Sequence, residues 1–175
     1  MTSRRGFSLA LLAAPAAAQS NTATSEYLWE FGYTAQHAID LAKAFPAAKF
    51  AWKPVPGVRS VGEVFVHLGA GNLMLLGKAA APGTWPDVKE IHDWETTKAT
   101  RDQAIELLVQ SKAAVEKAYS GAGAADLAKK VDFFGKPATA NAIYLRILAH
   151  TNEHLGQMIA YARMAGITPP WTKTE

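Results

Sequence analysis

The chain has no cysteine among its 175 residues, so it contains no disulfide bond. It does not need one, because 49% of its residues are hydrophobic and a domain of this size buries roughly 70% of the surface that its unfolded chain exposes. The length suits one ordinary domain and is short for two. The composition is that of a globular protein, neither disordered nor membrane-embedded.

A long hydrophobic run is also lacking. The apolar stretch Phe7–Ala18 is too short to span a bilayer as a permanent helix. It follows Arg4 and Arg5 and ends in three alanines, and this order of charged, apolar and small residues is that of an export signal. The adjacent arginines resemble a twin-arginine signal, which routes proteins that fold before they cross the membrane. An ordinary secretory signal that happens to carry two arginines is the alternative.

We therefore predict three segments: an export signal at 1–18, of the twin-arginine type, a polar tether at 19–24, and one domain at 25–171. The location that this order predicts is periplasmic or otherwise extracytoplasmic. Once the signal is removed, we expect no stable insertion into a membrane.

A strong excess of positive charge is absent as well. The 18 basic and 15 acidic residues give a net charge of +3, and loss of Arg4 and Arg5 with the signal lowers it to about +1 (3 − 2). Nucleic-acid binding needs a clustered basic face, which this sequence does not show. We predict no nucleic-acid partner.

No stretch alternates apolar and polar residues for long enough to predict a sheet, and Val131–Phe134 is the one weak strand candidate. Apolar residues recur instead at every third or fourth position, and Ser60 and Glu63 have the spacing of a capping box. The helices predicted on this basis cover about residues 26–45, 60–80, 97–119 and 139–165.

Four amphipathic helices without strand partners must bury their apolar faces against each other. The sequence therefore predicts an all-α four-helix bundle. The connections after the first and second helices are too long for tight antiparallel turns, so they permit crossovers. Residues 81–96, which include Trp85, His92 and Trp94, are predicted as part of a loop.

Three of the five histidines point to a metal site. His150 and His154 are four residues apart, which places them about 40° apart around the helix axis and about 6 Å apart along it, on one face. His67 lies in the apolar stripe of the second helix. Burying imidazoles is costly unless each finds a partner, and one ion satisfies all three together. We predict one divalent metal ion on these histidines, with a position open for water or substrate.

The alternative is that each histidine is a separately hydrogen-bonded core residue. His37 and His92 are predicted to lie at the surface and to bind no metal. Four further polar residues are candidates to support a ligand or to contact a substrate: Glu63, Asn152, Glu153 and Gln157.

Other metal chemistries fit less well. Residues 150–154 match the H-x-x-E-H peptidase pattern, but only 21 residues follow His154, which leaves little room for a further ligand and a cleft. A di-iron bundle needs Glu-x-x-His motifs, and these are absent. A haem on two of the histidines leaves the third unexplained.

Three segments resemble one family, the DinB-like (DinB/YfiT) superfamily. Trp52–His67 is similar to the entry to its second helix, and His150–Met158 to its H-x-x-x-H-x-G-Q motif. Gly166–Trp171 resembles an ending that many members share. The resemblance covers about residues 25–171.

The resemblance implies an up-down-down-up bundle, often dimeric, with a metal site of His67, His150 and His154 that takes zinc, nickel or iron. Some relatives are thiol-dependent S-transferases or isomerases, and most have no established activity. The export signal sets this chain apart from the cytoplasmic members.

The predicted function is a small metal-dependent enzyme, of the hydrolase or thiol/S-transferase type, in which the ion acts as a Lewis acid on a small molecule. The alternative is a non-catalytic metal-binding or metal-stapled bundle of the cell envelope. A homodimer is the expected assembly.

Overall fold

The computed structural model describes the chain from residue 16 to residue 172, and its side chains from residue 22. This part contains six α-helices and one β-hairpin. In chain order they are α1 (Ala16–Ala44), α2 (Val61–Lys78), α3 (Val88–Thr97), α4 (Arg101–Ser120), α5 (Ala124–Leu127), β1 (Lys130–Phe133), β2 (Lys136–Thr139) and α6 (Ala140–Met164). The four predicted helices are confirmed as α1, α2, α4 and α6, which form an all-α bundle.

The start of α1 includes residues that the sequence analysis assigned elsewhere. The predicted export signal lies outside the described residues except for 16–18. Those three residues and the predicted tether at 19–24 are helical and continuous with the rest of α1.

The direction of α1 follows from contacts at its two ends. Tyr27, near its start, packs on Tyr119 at the end of α4, with ring centroids 4.0 Å apart, and on Tyr144 near the start of α6, at 6.2 Å. Arg101, at the start of α4, donates through Nε to the carbonyl of Phe45 just beyond α1 at 3.1 Å. Helix α1 is therefore antiparallel to α4 and parallel to α6.

Helices α2 and α4 run in the same direction. Gly62, at the start of α2, lies so close to Ala99, just before α4, that an added Cβ would overlap its backbone. Gly69, about two turns further along α2, lies against Leu107 of α4. His67 meets His154, and Gly71 meets His150, so α2 is antiparallel to α6. The order is up-down-down-up, and α1 and α2 each pack on both α4 and α6.

Because α2 and α4 are parallel, the chain must return along the bundle between them, and this crossover contains α3. The prediction of a loop here was wrong for residues 88–97. Asp87 and Glu90 form a capping box that starts α3, and Ile91 and Glu95, one turn apart, are buried against α2. A helix of ten residues with only two buried positions has too short an apolar stripe to be recognised from periodicity.

The expectation of no sheet was wrong for the hairpin before α6. Strands β1 and β2 pair in antiparallel register from Lys130 opposite Thr139 to Phe133 opposite Lys136. Phe134 and Gly135 both have positive φ (52° and 81°), as a two-residue type I′ turn requires. The strands have only four residues each and are half-buried or exposed, so the sequence gives no more than the weak candidate Val131–Phe134, which overlaps β1.

The core fills the space between the four long helices. Its largest fully buried side chains include Phe31, Phe65, Ile147 and Met158, one or more from α1, α2 and α6. None of the helices described here has the length and apolarity to span a membrane.

Helix α2 begins with a complete capping box. The Ser60 hydroxyl accepts from the N–H of Glu63 at 3.2 Å, and the Glu63 carboxylate accepts from the N–H of Ser60. Lys53 lies 3.1 Å from the same carboxylate. These bonds fix the first turn of α2 and its N-cap residue, Ser60, which directly follows Arg59.

We predict that Ser60→Ala lowers the free energy of unfolding by about 1 kcal/mol, because the N–H of Glu63 loses its side-chain acceptor. The measurement is urea unfolding followed by circular dichroism. Thr100→Ala is the matched control, since Thr100 is the N-cap of α4 but its side chain makes no capping bond. Equal losses for the two variants would contradict the assignment.

Candidate metal centre

The three predicted histidines meet between α2 and α6. One ring nitrogen of each lies within 4.8 Å of one ring nitrogen of both others. The ring centroids are 5.4 Å apart for His67 and His150, 4.8 Å for His67 and His154, and 4.6 Å for His150 and His154. His150 is buried, while the other two are half-buried.

Gly71 makes room for the His150 ring. A Cβ added at Gly71 would lie 2.7 Å from Cε1 of His150, which is closer than real Cβ contacts allow. Glycine is unfavourable inside a helix by about 1 kcal/mol relative to alanine. The sequence nevertheless has glycine here, where the backbone of α2 lies directly against this ring.

The hydrogen bonds around His150 define which of its nitrogens carries the proton. Thr151 donates its hydroxyl proton to the carbonyl of Ile147 at 2.8 Å, so its oxygen can only accept from Nδ2 of Asn72 at 3.0 Å. That orientation turns Oδ1 of Asn72 toward Nδ1 of His150 at 2.9 Å. An amide oxygen accepts only, and therefore His150 carries its proton on Nδ1.

An analogous relay holds His154. Tyr161 donates to the carbonyl of Arg59 at 3.3 Å, and its oxygen accepts from Nε2 of Gln157 at 3.4 Å. Oε1 of Gln157 then faces Nδ1 of His154 at 2.8 Å. His154 thus also donates through Nδ1, which leaves Nε2 as the nitrogen that can face a metal ion.

A carboxylate performs the same role for His67. Nδ1 of His67 lies 2.7 Å from Oε1 of Glu95, and the other oxygen of Glu95 accepts from Nε of Arg59 at 2.8 Å. Glu95 is buried, with its side chain 8% exposed. Arg59 therefore helps to hold two of the three histidines. Its side chain bonds to Glu95, which holds His67, and its carbonyl accepts from Tyr161, which holds Gln157 and through it His154.

The pKa values favour neutral rings. Burial lowers the pKa of His150 to about 3, and the neighbouring His154 and His67 add to the effect. Burial also lowers the pKa of His67, although its hydrogen bond with Glu95 opposes this shift. For Glu95, burial raises the pKa, but the bonds from Arg59 and His67 outweigh it and hold the pKa below its ordinary value. The carboxylate is thus ionised beside neutral imidazoles.

This donor set fits a divalent metal ion. All three Nδ1 atoms are occupied by oxygen acceptors, so each neutral ring has its lone pair on Nε2. Histidine ligands of metals usually have such a partner on the other ring nitrogen, which fixes the tautomer and the orientation of the ring. Three nitrogens are also the protein ligands of a site that keeps a fourth position open.

Of the four further polar candidates, Gln157 is the one that contacts a histidine of this cluster. Glu63 is occupied by its capping box, and Asn152 donates to the carbonyl of Leu148 at 3.1 Å on the exposed side of α6. Glu153 lies 3.5 Å from Arg146, with its side chain 61% exposed, and so does not face the histidines as a peptidase base would need to.

The two remaining histidines lie elsewhere. Nδ1 of His37 lies 2.9 Å from the carbonyl of Tyr33, and the ring packs edge-on against Trp171. His92 is exposed on α3. Neither belongs to the histidine cluster of the described residues.

Sequence reasoning missed three residues of the site: Asn72, Glu95 and Arg59. Asn72 is a polar residue directly after Gly71 in a mostly apolar helix, and that signal was available. Glu95 falls in the segment predicted as a loop, and a loop gives no basis for saying which side chains face the core. Arg59 precedes the N-cap, where its direction depends on tertiary contacts.

A cleft opens beside residues that support two of the histidines, although none of the three rings lines it. Its volume is about 540 Å³, and Arg59, Glu95 and Gln157 line it together with Lys53 and His92. Residues that hold His67 and His154 therefore also form the wall of a space large enough for a small molecule.

The fold and the three-histidine cluster define a helical-bundle protein with the donor set of a metal site. The sequence profile of the DinB superfamily matches residues 30–158, and the chain belongs to that superfamily.

A solved relative has the same fold. The crystal structure of a DinB-like protein from Bacillus cereus superposes with a TM-score of 0.70 at 21% identity, covering 84% of this chain and 95% of the other. Among curated proteins, none matches the chain significantly.

We predict that Asn72→Ala lowers the free energy of unfolding of the metal-free protein by about 1–3 kcal/mol, because the buried Nδ1–H of His150 loses its acceptor. Urea unfolding in the presence of a chelator measures this. The matched control is Asn152→Ala, the same substitution on the exposed side of α6, which we expect to change stability by less than about 0.5 kcal/mol. A loss no larger for Asn72 than for Asn152 would exclude the relay.

Proposed function

We propose that this protein binds one divalent metal ion through Nε2 of His67, His150 and His154, and that it is a small metal-dependent enzyme of the hydrolase or thiol/S-transferase type. The observation that carries the proposal is the arrangement of the three Nδ1 atoms. Each is committed to an oxygen acceptor, which leaves three unprotonated Nε2 atoms in one cluster. When bound, the ion supplies a Lewis acid.

The protein's own residues prepare the ligands. Asn72 and Gln157 fix two rings with neutral amides, and Glu95 fixes the third with a buried carboxylate that Arg59 holds in place. A carboxylate on Nδ1 makes the imidazole more basic and thus a stronger ligand than an amide does. We expect His67 to be the strongest of the three donors. Imidazole nitrogens suit zinc, nickel and iron.

The cleft supports an enzyme over a structural metal site. A metal that only staples the bundle needs no adjacent space, whereas here Arg59, Glu95 and Gln157 both support the ligands and line an opening of about 540 Å³. A substrate in the cleft would meet Lys53 and Glu63, which are paired at 3.1 Å, and so would find both signs of charge. The non-catalytic metal-binding bundle remains the second candidate, favoured if the fourth position is closed.

We predict one equivalent of Zn²⁺ or Co²⁺ per chain, and loss of binding in His150→Ala, because two histidines do not complete the donor set. Elemental analysis and the visible absorption of the Co²⁺ form measure this. His37→Ala and His92→Ala are the controls and should retain one equivalent. Stoichiometric metal in His150→Ala would refute the site.

The same Co²⁺ form separates the two candidates. A small thiol or azide that enters an open position changes the visible spectrum, and this result supports an enzyme. An unchanged spectrum at saturating thiol and azide means a closed site and supports the metal-stapled bundle.

We also propose that the protein is exported by a twin-arginine signal, on the strength of Arg4 and Arg5 before the apolar stretch. We predict that replacing both with lysine keeps the full-length chain in the cytoplasm. A general secretory signal needs only positive charge and would tolerate this change. Cell fractionation and immunoblotting measure it, with Lys117→Arg as the control. Export of the double-lysine variant would identify the general route, and a wild-type chain confined to the cytoplasm would contradict export.

The proposal includes a homodimer. Trp29 and Tyr33 on α1 are 65% and 56% exposed and stack with ring centroids 5.8 Å apart. A second copy would cover this apolar patch. A monomeric mass in sedimentation would contradict the dimer.

A further inference from the structure

A second cavity, unrelated to the histidines, lies at the end of the bundle where α2 and α4 end and α6 begins. Its volume is about 430 Å³. Ala79 in its wall is twelve residues beyond His67, which is about 18 Å along a helix. The metal site and this cavity are therefore separate.

Small side chains create the space. Half of the lining residues are alanines, contributed by the end of α2, by α4 and by α6. Trp85 closes the cavity as a large apolar wall, and its position is fixed because Nε1 donates to the carbonyl of Ala81 at 2.9 Å and the side chain packs over Gly77. A Cβ added at Gly77 would lie 3.2 Å from Cβ of Trp85, so the glycine allows this close approach.

One polar group at this space has no partner among the described residues. Tyr144 lines the cavity and is 3% exposed, yet its hydroxyl makes no hydrogen bond with the described residues. The nearby hydroxyls of Tyr27 and Tyr119 do bond, to the carbonyl of Tyr144 at 2.9 Å and to Asn141 at 3.4 Å. Every fully enclosed polar side-chain atom of the described residues has a hydrogen-bond partner. Because the Tyr144 oxygen has none, it is not fully enclosed and is in contact with open space.

The hydroxyl of Tyr144 is available as a donor. Burial, followed by the charges of Tyr119 and Asp126, raises its pKa, so it keeps its proton. Its oxygen makes no hydrogen bond with the described residues and is in contact with open space, so a ligand can reach it. An acceptor atom of a ligand in the cavity would satisfy it.

The charged side chains that line the cavity favour a ligand with one negative charge. Lys129 is paired with Asp126 at 2.9 Å. Lys117 also lines the cavity, and within the described chain it forms no ion pair. One cation is therefore available for a ligand, with an apolar wall of alanines and Trp85 beneath it.

We propose that this cavity binds a small amphipathic monocarboxylate, with its apolar tail against the alanines and Trp85 and its carboxylate between Lys117 and the hydroxyl of Tyr144. The volume lies at the small end of the range for small-molecule sites. The site takes an alkyl or aryl acid rather than a polar metabolite, since its walls offer few other polar groups.

We predict saturable binding of octanoate to the full-length protein in calorimetry, and weaker binding of octylamine, which has a similar tail and the opposite charge. Tyr144→Phe should reduce octanoate affinity by about tenfold through loss of one hydrogen bond to a charged group. Its stability should not fall, because no protein partner of that hydroxyl is lost. Tyr119→Phe is the matched control, since that hydroxyl bonds to Asn141, and it should bind octanoate like the wild type.

Ala118→Leu tests the location, because the larger side chain occupies the cavity and should abolish octanoate binding. Ala113→Leu, on the exposed side of the same helix, is its control. Zn²⁺ binding should persist in all four variants, which shows that they fold. Absence of saturable octanoate binding, full binding in Ala118→Leu or Tyr144→Phe, or equal affinity for octylamine would each overturn the proposal.

Discussion

The hydrogen bond from His150 to Asn72 crosses from α6 to α2 in the buried interior of the bundle. A buried imidazole cannot remain there with an unpaired N–H, and Asn72 cannot turn its amide oxygen to the ring unless Thr151 accepts from its amide nitrogen. The packing of α2 on α6 therefore depends on a polar chain that is satisfied at each link. The same series of hydrogen bonds leaves Nε2 of His150 without a proton. One arrangement thus satisfies the buried N–H of His150 and leaves its other nitrogen able to bind a metal ion.

Arg59 connects this centre to the rest of the fold. Its side chain holds Glu95 on α3, and its carbonyl accepts from Tyr161 on α6. Its position is set by the capping box that begins at the next residue, Ser60. Three elements thus provide the residues that hold His67 and His154: α3, the start of α2 and the last turns of α6. The short crossover helix α3 is part of the site because it carries Glu95. The far end of the bundle, where Tyr144 faces the alanine-lined cavity, shares none of these bonds.

Much of the fold could be predicted because the four long helices have apolar stripes that persist over several turns. Where the stripe is short, prediction failed: α3 buries only Ile91 and Glu95, and the hairpin has four residues per strand. The histidines were recognisable for a similar reason. His150 and His154 lie on one helix, whose geometry fixes their relative positions, while Asn72 and Glu95 are 78 and 28 residues away from the rings that they orient.

The sequence by itself determined the four helices, the capping box at Ser60 and the shared face of His150 and His154, because these depend on interactions within a few residues of the chain. Only the tertiary structure decided which acceptor each imidazole meets, where α3 places Glu95, and that Tyr144 faces open space. Those outcomes depend on the direction of each helix and on its rotation about its own axis. Both are set by the packing of side chains that are distant in sequence, and no local pattern encodes them.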